Sequence, residues 1–238
     1  MEARDAKPVF GEPTPLGLLG LAIGCAALVP VAFGMLPKEP GAAAMMLETS
    51  AWLCLLFGAG CQFLAGVMAL ANKNTLGGTL LTTFSFNWVM NWWALDQLAH
   101  GKAPSAPVLF AVDVAFLVIF VVLTYAFGFV SKLLFVFLLD IDALYVLRIV
   151  RHQLPAMTGV TTGIGLATIA LGALALYIAL GILLNGAAGR ALLPMGGPLF
   201  YLSPSLPMNS SGQSSPSKGQ YSSLSLRNRA ASSASTAS

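Results

Sequence analysis

Long apolar stretches alternate with short polar breaks along this chain. Asp, Glu, Lys and Arg are absent from Pro13–Pro37, Thr49–Asn72, Asn74–Leu95, Val114–Ser131 and Gln153–Gly189. The fourth stretch extends back through Asp113 to about Pro107, and a weaker apolar run covers Lys132 to Val150. A helix needs about 20 mostly apolar residues to cross a bilayer. The pattern therefore predicts six membrane-spanning helices, at residues 15–36, 46–71, 75–97, 107–130, 132–150 and 157–184. The breaks between them are brief: Pro37–Ala44, Asn72–Asn74, His100–Ala106, a sharp turn near Ser131, and Arg151–Pro155. Connections that short force neighbouring helices to run antiparallel. The expected fold class is all-α, a polytopic membrane protein with one compact six-helix bundle per protomer.

Both ends of the chain differ from this core. Residues 1–11 form a polar segment, 12–196 the transmembrane domain, and 197–238 a tail rich in Ser with scattered Lys and Arg. From about Ser203 the composition cannot bury a core, so the tail is expected to be disordered in isolation. The entry to the first helix is distinctive: Glu12-Pro13-Thr14-Pro15 precedes Leu16-Gly17. Proline fixes φ and pushes the residue before it toward extended geometry, which predicts an extended Glu12–Pro15 and a helix from Leu16.

Composition narrows the function classes. Hydrophobic residues make up 57% of the 238, charged residues 9%, and the mean hydropathy is +0.80, values no soluble domain of this size shows. A net charge of +3, scattered along the chain, gives no footprint for nucleic acid. The first apolar run is too long for a cleaved signal peptide and follows Glu2, Arg4, Asp5 and Lys7, which balance in charge. Cys25, Cys54 and Cys61 sit inside apolar runs with no C-x-x-C spacing, so they are expected to be packing residues. His100 and His152 both read as lying away from any cysteine or carboxylate cluster. No nucleophile–base pair, phosphate loop or metal spacing is legible, which favours a transporter or channel over an enzyme and predicts no cofactor and no metal. Six spans would place both termini on one side with Arg4, Lys7, Lys73, Lys132, Arg190, Lys218, Arg227 and Arg229, leaving Lys38, Lys102, Arg148 and Arg151 opposite. The excess favours cytosolic termini in a plasma or organelle membrane, although residues far along the tail count little.

Polar residues inside apolar spans are costly and mark functional candidates. Phe84, Asn87 and Asn91 share one helical face, and the two amides need partners on another helix or along a hydrated path. Trp88, Trp92 and Trp93 read as an interfacial belt or a packing ridge. Asp140 and Asp142 lie about 200° apart around an ideal helix, so they cannot pair on one face. Ile141 points between them, with Leu134, Leu138 and Tyr145 on its own side. These two aspartates and Asp113 are either proton-coupled or paired with basic or amide groups. Glycines recur in the first, second and sixth spans, where small residues let helix backbones approach closely.

Three separated stretches resemble the acetate uptake transporter family, which includes bacterial acetate/succinate permeases and fungal ammonia/acetate export proteins. Glu12-Pro13-Thr14-Pro15-Leu16-Gly17-Leu18 is similar to its signature N-P-A-P-L-G-L. Gln62-Phe63-Leu64-Ala65-Gly66 and Asn74-Thr75-Leu76-Gly77 resemble its Q-I-x-A-G and N-T-F-G segments. Leu184-Asn185, Gly189-Arg190 and Leu193-Pro194 resemble its closing L-N-x-x-x-G-R-x-x-L-P. The resemblance covers roughly residues 12–196. It implies six helices per protomer, a ring-shaped homo-hexamer in the lipid bilayer, and one narrow path per subunit. The constriction would fall on Leu21, Phe84 and Ile141, with Glu12, Pro13, Pro15, Leu16 and Gly17 at one mouth. Gln62, Asn74, Thr75, Asn87 and Asn91 would line the path or bond between helices. Three departures stand out: Glu12 replaces the asparagine, Leu21 an aromatic, and Phe84 a tyrosine. The implied function is passage of acetate or a related short monocarboxylate, with succinate as a further candidate, as a channel or by proton symport. A membrane sensor or scaffold acting through the tail, or a channel for another small solute such as ammonia, are the alternatives.

Overall fold

The structure, a computed structural model, describes residues 8–154 and 157–201. Residues 1–7, Pro155, and the expected Ser-rich tail beyond 201 lie outside the described residues. Within them every regular element is helical: α1 (Thr14–Ala32), α2 (Pro40–Ala71), α3 (Thr75–Ala99), α4 (Ala106–Gly128), α5 (Lys132–Gln153) and α6 (Thr158–Ala188). Four of the six (α1, α2, α4 and α6) are long and apolar enough to cross a membrane. The other two, α3 and α5, carry the amides, charges and indoles singled out above, which dilutes their apolar character.

Most helix starts fall where glycine, proline and amide punctuation predicts; the larger differences are three at α1 and α2, and an α6 that runs past 184 to Ala188. Glu12–Pro15 is not wholly extended, because Pro13 is already helical (φ −86°, ψ −15°) and α1 begins at Thr14. Its first-turn N–H groups have no intrahelical partner, so Pro15 costs nothing there. The Glu12 carboxylate accepts from both the Thr14 N–H and the Thr14 hydroxyl, fixing the turn that the Thr-Pro step would otherwise open. Helix α1 stops before residue 36, where Gly34 takes a left-handed conformation (φ 68°). Helix α2 starts six positions before residue 46, with Pro40 in its first turn.

Inside α2, Cys54–Cys61 forms a π-helical segment that periodicity did not reveal. It presents Gly58 to the face of Trp88, where an added Cβ would lie 2.5 Å from the indole. From α1, Gly24 meets the same ring. The expected role of the glycines is visible here: close backbone approach around one large aromatic. Trp88 is therefore a core residue, Trp93 is exposed, and Trp92 packs obliquely on Trp52. Cys25, Cys54 and Cys61 are free thiols, the first two buried.

Side-by-side packing follows the order α3–α2–α1–α6–α5–α4. The series closes where α3 faces α4 and α5, mainly through side chains: Phe84 on Phe120, and Asn91 on Arg148. Outward faces stay apolar, as lipid requires; α4 alone exposes Val108, Val118, Val121, Val122 and Tyr125.

The segment after α6 folds back. Gly189 (φ 62°) ends the helix, and Asn185 then binds the returning backbone, accepting from Leu192 N–H and Leu193 N–H at 2.7 and 2.9 Å and donating to the Leu193 carbonyl. Tyr177 and Ser131 donate to the Pro194 and Met195 carbonyls. Attachment continues past the boundary expected at residue 196. The Leu199 and Phe200 N–H groups both reach the Gly128 carbonyl, and the Phe200 ring sits among Tyr125, Phe129 and Phe135. At the other terminus, Asn72 binds both the N–H and the carbonyl of Phe10.

Candidate functional site

Three cavities succeed one another where α3 faces α4 and α5. An amino-terminal cavity of ≈ 130 Å³ lies between Thr14, Gln62, Asn74, Leu80, Phe84 and Phe137, among others. A central cavity of ≈ 50 Å³ is lined by Phe84, Asn87, Asn91, Ile141, Tyr145 and Arg148. A larger cavity of ≈ 270 Å³, the vestibule, is bordered by Asn91, Arg148, Arg151 and His152. Phe84 lines both of the first two, while Asn91 and Arg148 line both of the last two.

Phe84 is fixed from two directions. Phe120 meets it edge-on at 5.1 Å between centroids, and Trp88 lies tilted at 6.0 Å. Behind them Phe116, Phe120 and Tyr145 stack. Exposure is 4% at Phe84, 1% at Ile141 and 0% at Leu21. All three belong to one buried cluster; Phe84 and Ile141 face the central cavity, whereas Leu21 lines none of the three cavities.

The amino-terminal cavity unites two stretches distant in sequence. Thr14 and Leu18 come from the entry motif, and Gln62, Asn74 and Gly77 from the second. Asn74 caps α3 by accepting from Gly77 N–H at 2.9 Å. Gln62 is buried, and its carbonyl oxygen has no partner among the described residues. Pro13, Pro15 and Gly17 are buried in packing, and Gly17 touches Leu81 and Ala65. Leu16, Glu12 and Thr75 are exposed and line none of the three cavities. The third motif stretch is elsewhere, holding the returning segment through Asn185.

Side chains at the vestibule end were only partly legible. Asp113 of α4 is fully buried and takes a two-point contact from Arg148 of α5, with Nη2 at 2.8 Å and Nε at 3.3 Å. His152 Nε2 lies 3.1 Å from the same carboxylate, so the expectation that His152 stands away from any carboxylate fails. Thirty-nine residues separate the two in sequence, and only the pairing of α4 with α5 brings them together. Asp142 turns toward α4 and accepts from the Thr124 hydroxyl at 2.7 Å. Asp140 is half-buried with one carboxyl oxygen unpartnered among the described residues. The two aspartates thus do not share a partner, as their angular spacing requires.

Three residues lining the central cavity also carry a buried polar group without a partner among the described residues: the Tyr145 hydroxyl, the Trp88 indole N–H and the Asn87 side-chain oxygen. Tyr145 and Arg148 were the functional candidates that sequence reasoning left out. Their spacing from Ile141, one and two helical turns on, was the signal available. Among the described residues no cluster of metal-ligating side chains occurs.

Comparison with known proteins supports the fold. No family model matches the chain. The structure of the bacterial acetate channel SatP superposes with a TM-score of 0.69 at 22% identity, covering 79% of this chain and 99% of that one. The glyoxylate pathway regulator of Yarrowia lipolytica is 32% identical over 92 residues, which is 39% of this chain. The chain spans about a third (32%) of the length of that curated relative. The resemblance read from three short motifs is thereby borne out in the fold, which this chain shares with that solved structure.

Proposed function

We propose that this protein conducts acetate and similar short monocarboxylates across a membrane, along the line of three cavities in each protomer. One observation carries the reading: Phe84 forms the shared wall of two cavities, flanked by buried Ile141, at the point where a conducting path would be narrowest. The central cavity has room for only a few water-sized groups, which suits a two- to four-carbon acid. Leu21 completes the constriction from behind. Glu12, Pro13, Pro15, Leu16 and Gly17 shape the amino-terminal mouth; Gln62, Asn74 and Thr75 present polar groups there, and Asn87 and Asn91 do so beyond Phe84. All six helices span the bilayer in this reading: α3 and α5 turn their polar residues inward, which an intramembrane charge requires. The protomers assemble as a homo-hexamer, with the termini cytosolic.

A bare carboxylate crossing the dry segment at Phe84 would pay a large desolvation penalty. A proton travelling with it removes that cost, so transport is proton-coupled symport. Asp140, Asp142 and Asp113 each have one carboxyl oxygen without a hydrogen bond among the described residues, and the first two can take that proton; Asp113, in an ion pair with Arg148, is the least available of the three. Proteoliposomes containing the full chain should take up labelled acetate, faster with an inward proton gradient, and succinate more slowly. Uptake no greater than in empty vesicles, with or without the gradient, would refute this reading.

A further inference from the structure

We infer that the central cavity holds a binding site for an ionised carboxylate, built by Arg148 and the Tyr145 hydroxyl. This rests on the proposed transport of short carboxylates and specifies where and in which form the substrate is held.

A guanidinium offers five N–H donors. In Arg148, Nε donates to Asp113 and Nη1 to the Asn91 side-chain oxygen at 3.4 Å, and at most one Nη2 N–H is taken up by the 2.8 Å ion-pair contact with Asp113. At least two donors remain, the number a carboxylate accepts in a paired contact. Asp113 lines neither cavity, while Arg148 lines both. The negative partner is therefore hidden behind the helix surface, and the positive group is displayed to the space. Arg151 borders the same vestibule, so the fixed charges facing it are cationic.

An independent observation concerns a neutral group. Tyr145 is 2% exposed, and its hydroxyl has no protein partner among the described residues. A buried hydroxyl without a partner is uncommon. This one lies on the cavity wall one helical turn from Arg148, whose guanidinium stands 5.6 Å over the Tyr145 ring. A ligand accepting from Arg148 and from Tyr145 would satisfy both. Asp113 is a positioning residue here: its two-point contact fixes the plane of the guanidinium.

Phe84 forms the opposite wall of this cavity. The carboxylate is thus held as an anion immediately before the constriction, and the proton joins it there.

Equilibrium dialysis of labelled acetate against the detergent-solubilised full chain tests the site independently of transport. Tyr145→Phe removes one donor and should weaken binding about tenfold, the usual value of a hydrogen bond to a charged group. Arg148→Lys leaves Asp113 a cationic partner but destroys the paired contact, and should weaken binding at least as much. Acetamide, of nearly the same shape but uncharged, should compete poorly with acetate for the unmodified protein. Unchanged affinity in both variants, or equal competition by acetamide, would overturn the inference. Binding of this kind without uptake in proteoliposomes would sink the transport reading and leave the site standing. Uptake with the same half-saturation in both variants would do the reverse.

Discussion

The two ends of the cavity series are built from different chemistry. At the amino-terminal end the polar groups are neutral: Thr14, Gln62 and Asn74, tied into helix caps or buried among apolar walls. At the vestibule end charged groups enter: Arg148 and Arg151, beside the His152 imidazole and with Asp113 behind them. Phe84 stands between. A symmetric pore would offer the same reception from either side. Here one end can hold an anion by charge, whereas the other can offer it only dipoles. The difference also bears on stability, because a buried ion pair depends on both partners while a cap or amide contact fails gently.

The largest expected effect comes from breaking the charged end. Arg148→Ala leaves the buried Asp113 carboxyl without its guanidinium and with only His152 beside it, which costs about 3 kcal/mol. Thermal melting in detergent should show a large fall, and Asp113→Asn combined with Arg148→Gln should restore most of it. Equal melting of the single and double variants would mean that the pair is not coupled.

Phe84→Ala acts on the divide. Loss of a buried phenyl ring should destabilise by about 3 kcal/mol. Uptake of four-carbon acids should rise relative to acetate by about tenfold, as expected when a steric limit of a few methylenes is relaxed. A competition series over C2–C4 acids checks this, and an unchanged ranking would remove Phe84 from the constriction.

At the neutral end, Asn72→Ala removes the two contacts that hold Phe10 to the α2–α3 turn. The cost should be about 1–2 kcal/mol, read as faster protease cleavage near residue 10 with acetate uptake nearly unchanged. Smallest of all is Glu12→Gln. The amide still offers an oxygen to Thr14 but carries no charge, so stability should move by less than about 0.5 kcal/mol. If acetate half-saturation then falls sharply, the Glu12 charge reaches the path and the neutral end is less neutral than its lining.

Much of the bundle was legible because its causes are local. Asn74 and Ser131 mark the starts of α3 and α5 through capping, which depends on a few neighbouring residues, whereas the ends at Gly34, Pro40 and Gly189 fall away from the expected 36, 46 and 184. The Phe84–Asn87–Asn91 face needed only the helical period, and all three residues do line the central cavity. The first turn of α1 was misread because proline preferences were weighed without the Glu12 carboxylate that bonds to Thr14. The π-helical stretch escaped because its apolar residues show no change of period, and the bulky Trp88 that accompanies it sits on another helix.

By itself, then, the sequence determined six helices, their apolar exteriors, and the face of each polar residue within its own helix. Those properties follow from backbone torsions and a fixed period of about 3.6 residues. Only the tertiary structure decided that Asp113 meets Arg148 and His152 across 35 and 39 residues, that Tyr145 has no partner of its own, and that the return of residues 190–200 is clamped by Asn185 and Gly128. The rotation and depth at which one helix packs on another arise from many weak contacts summed over the whole bundle, and no local segment encodes that sum.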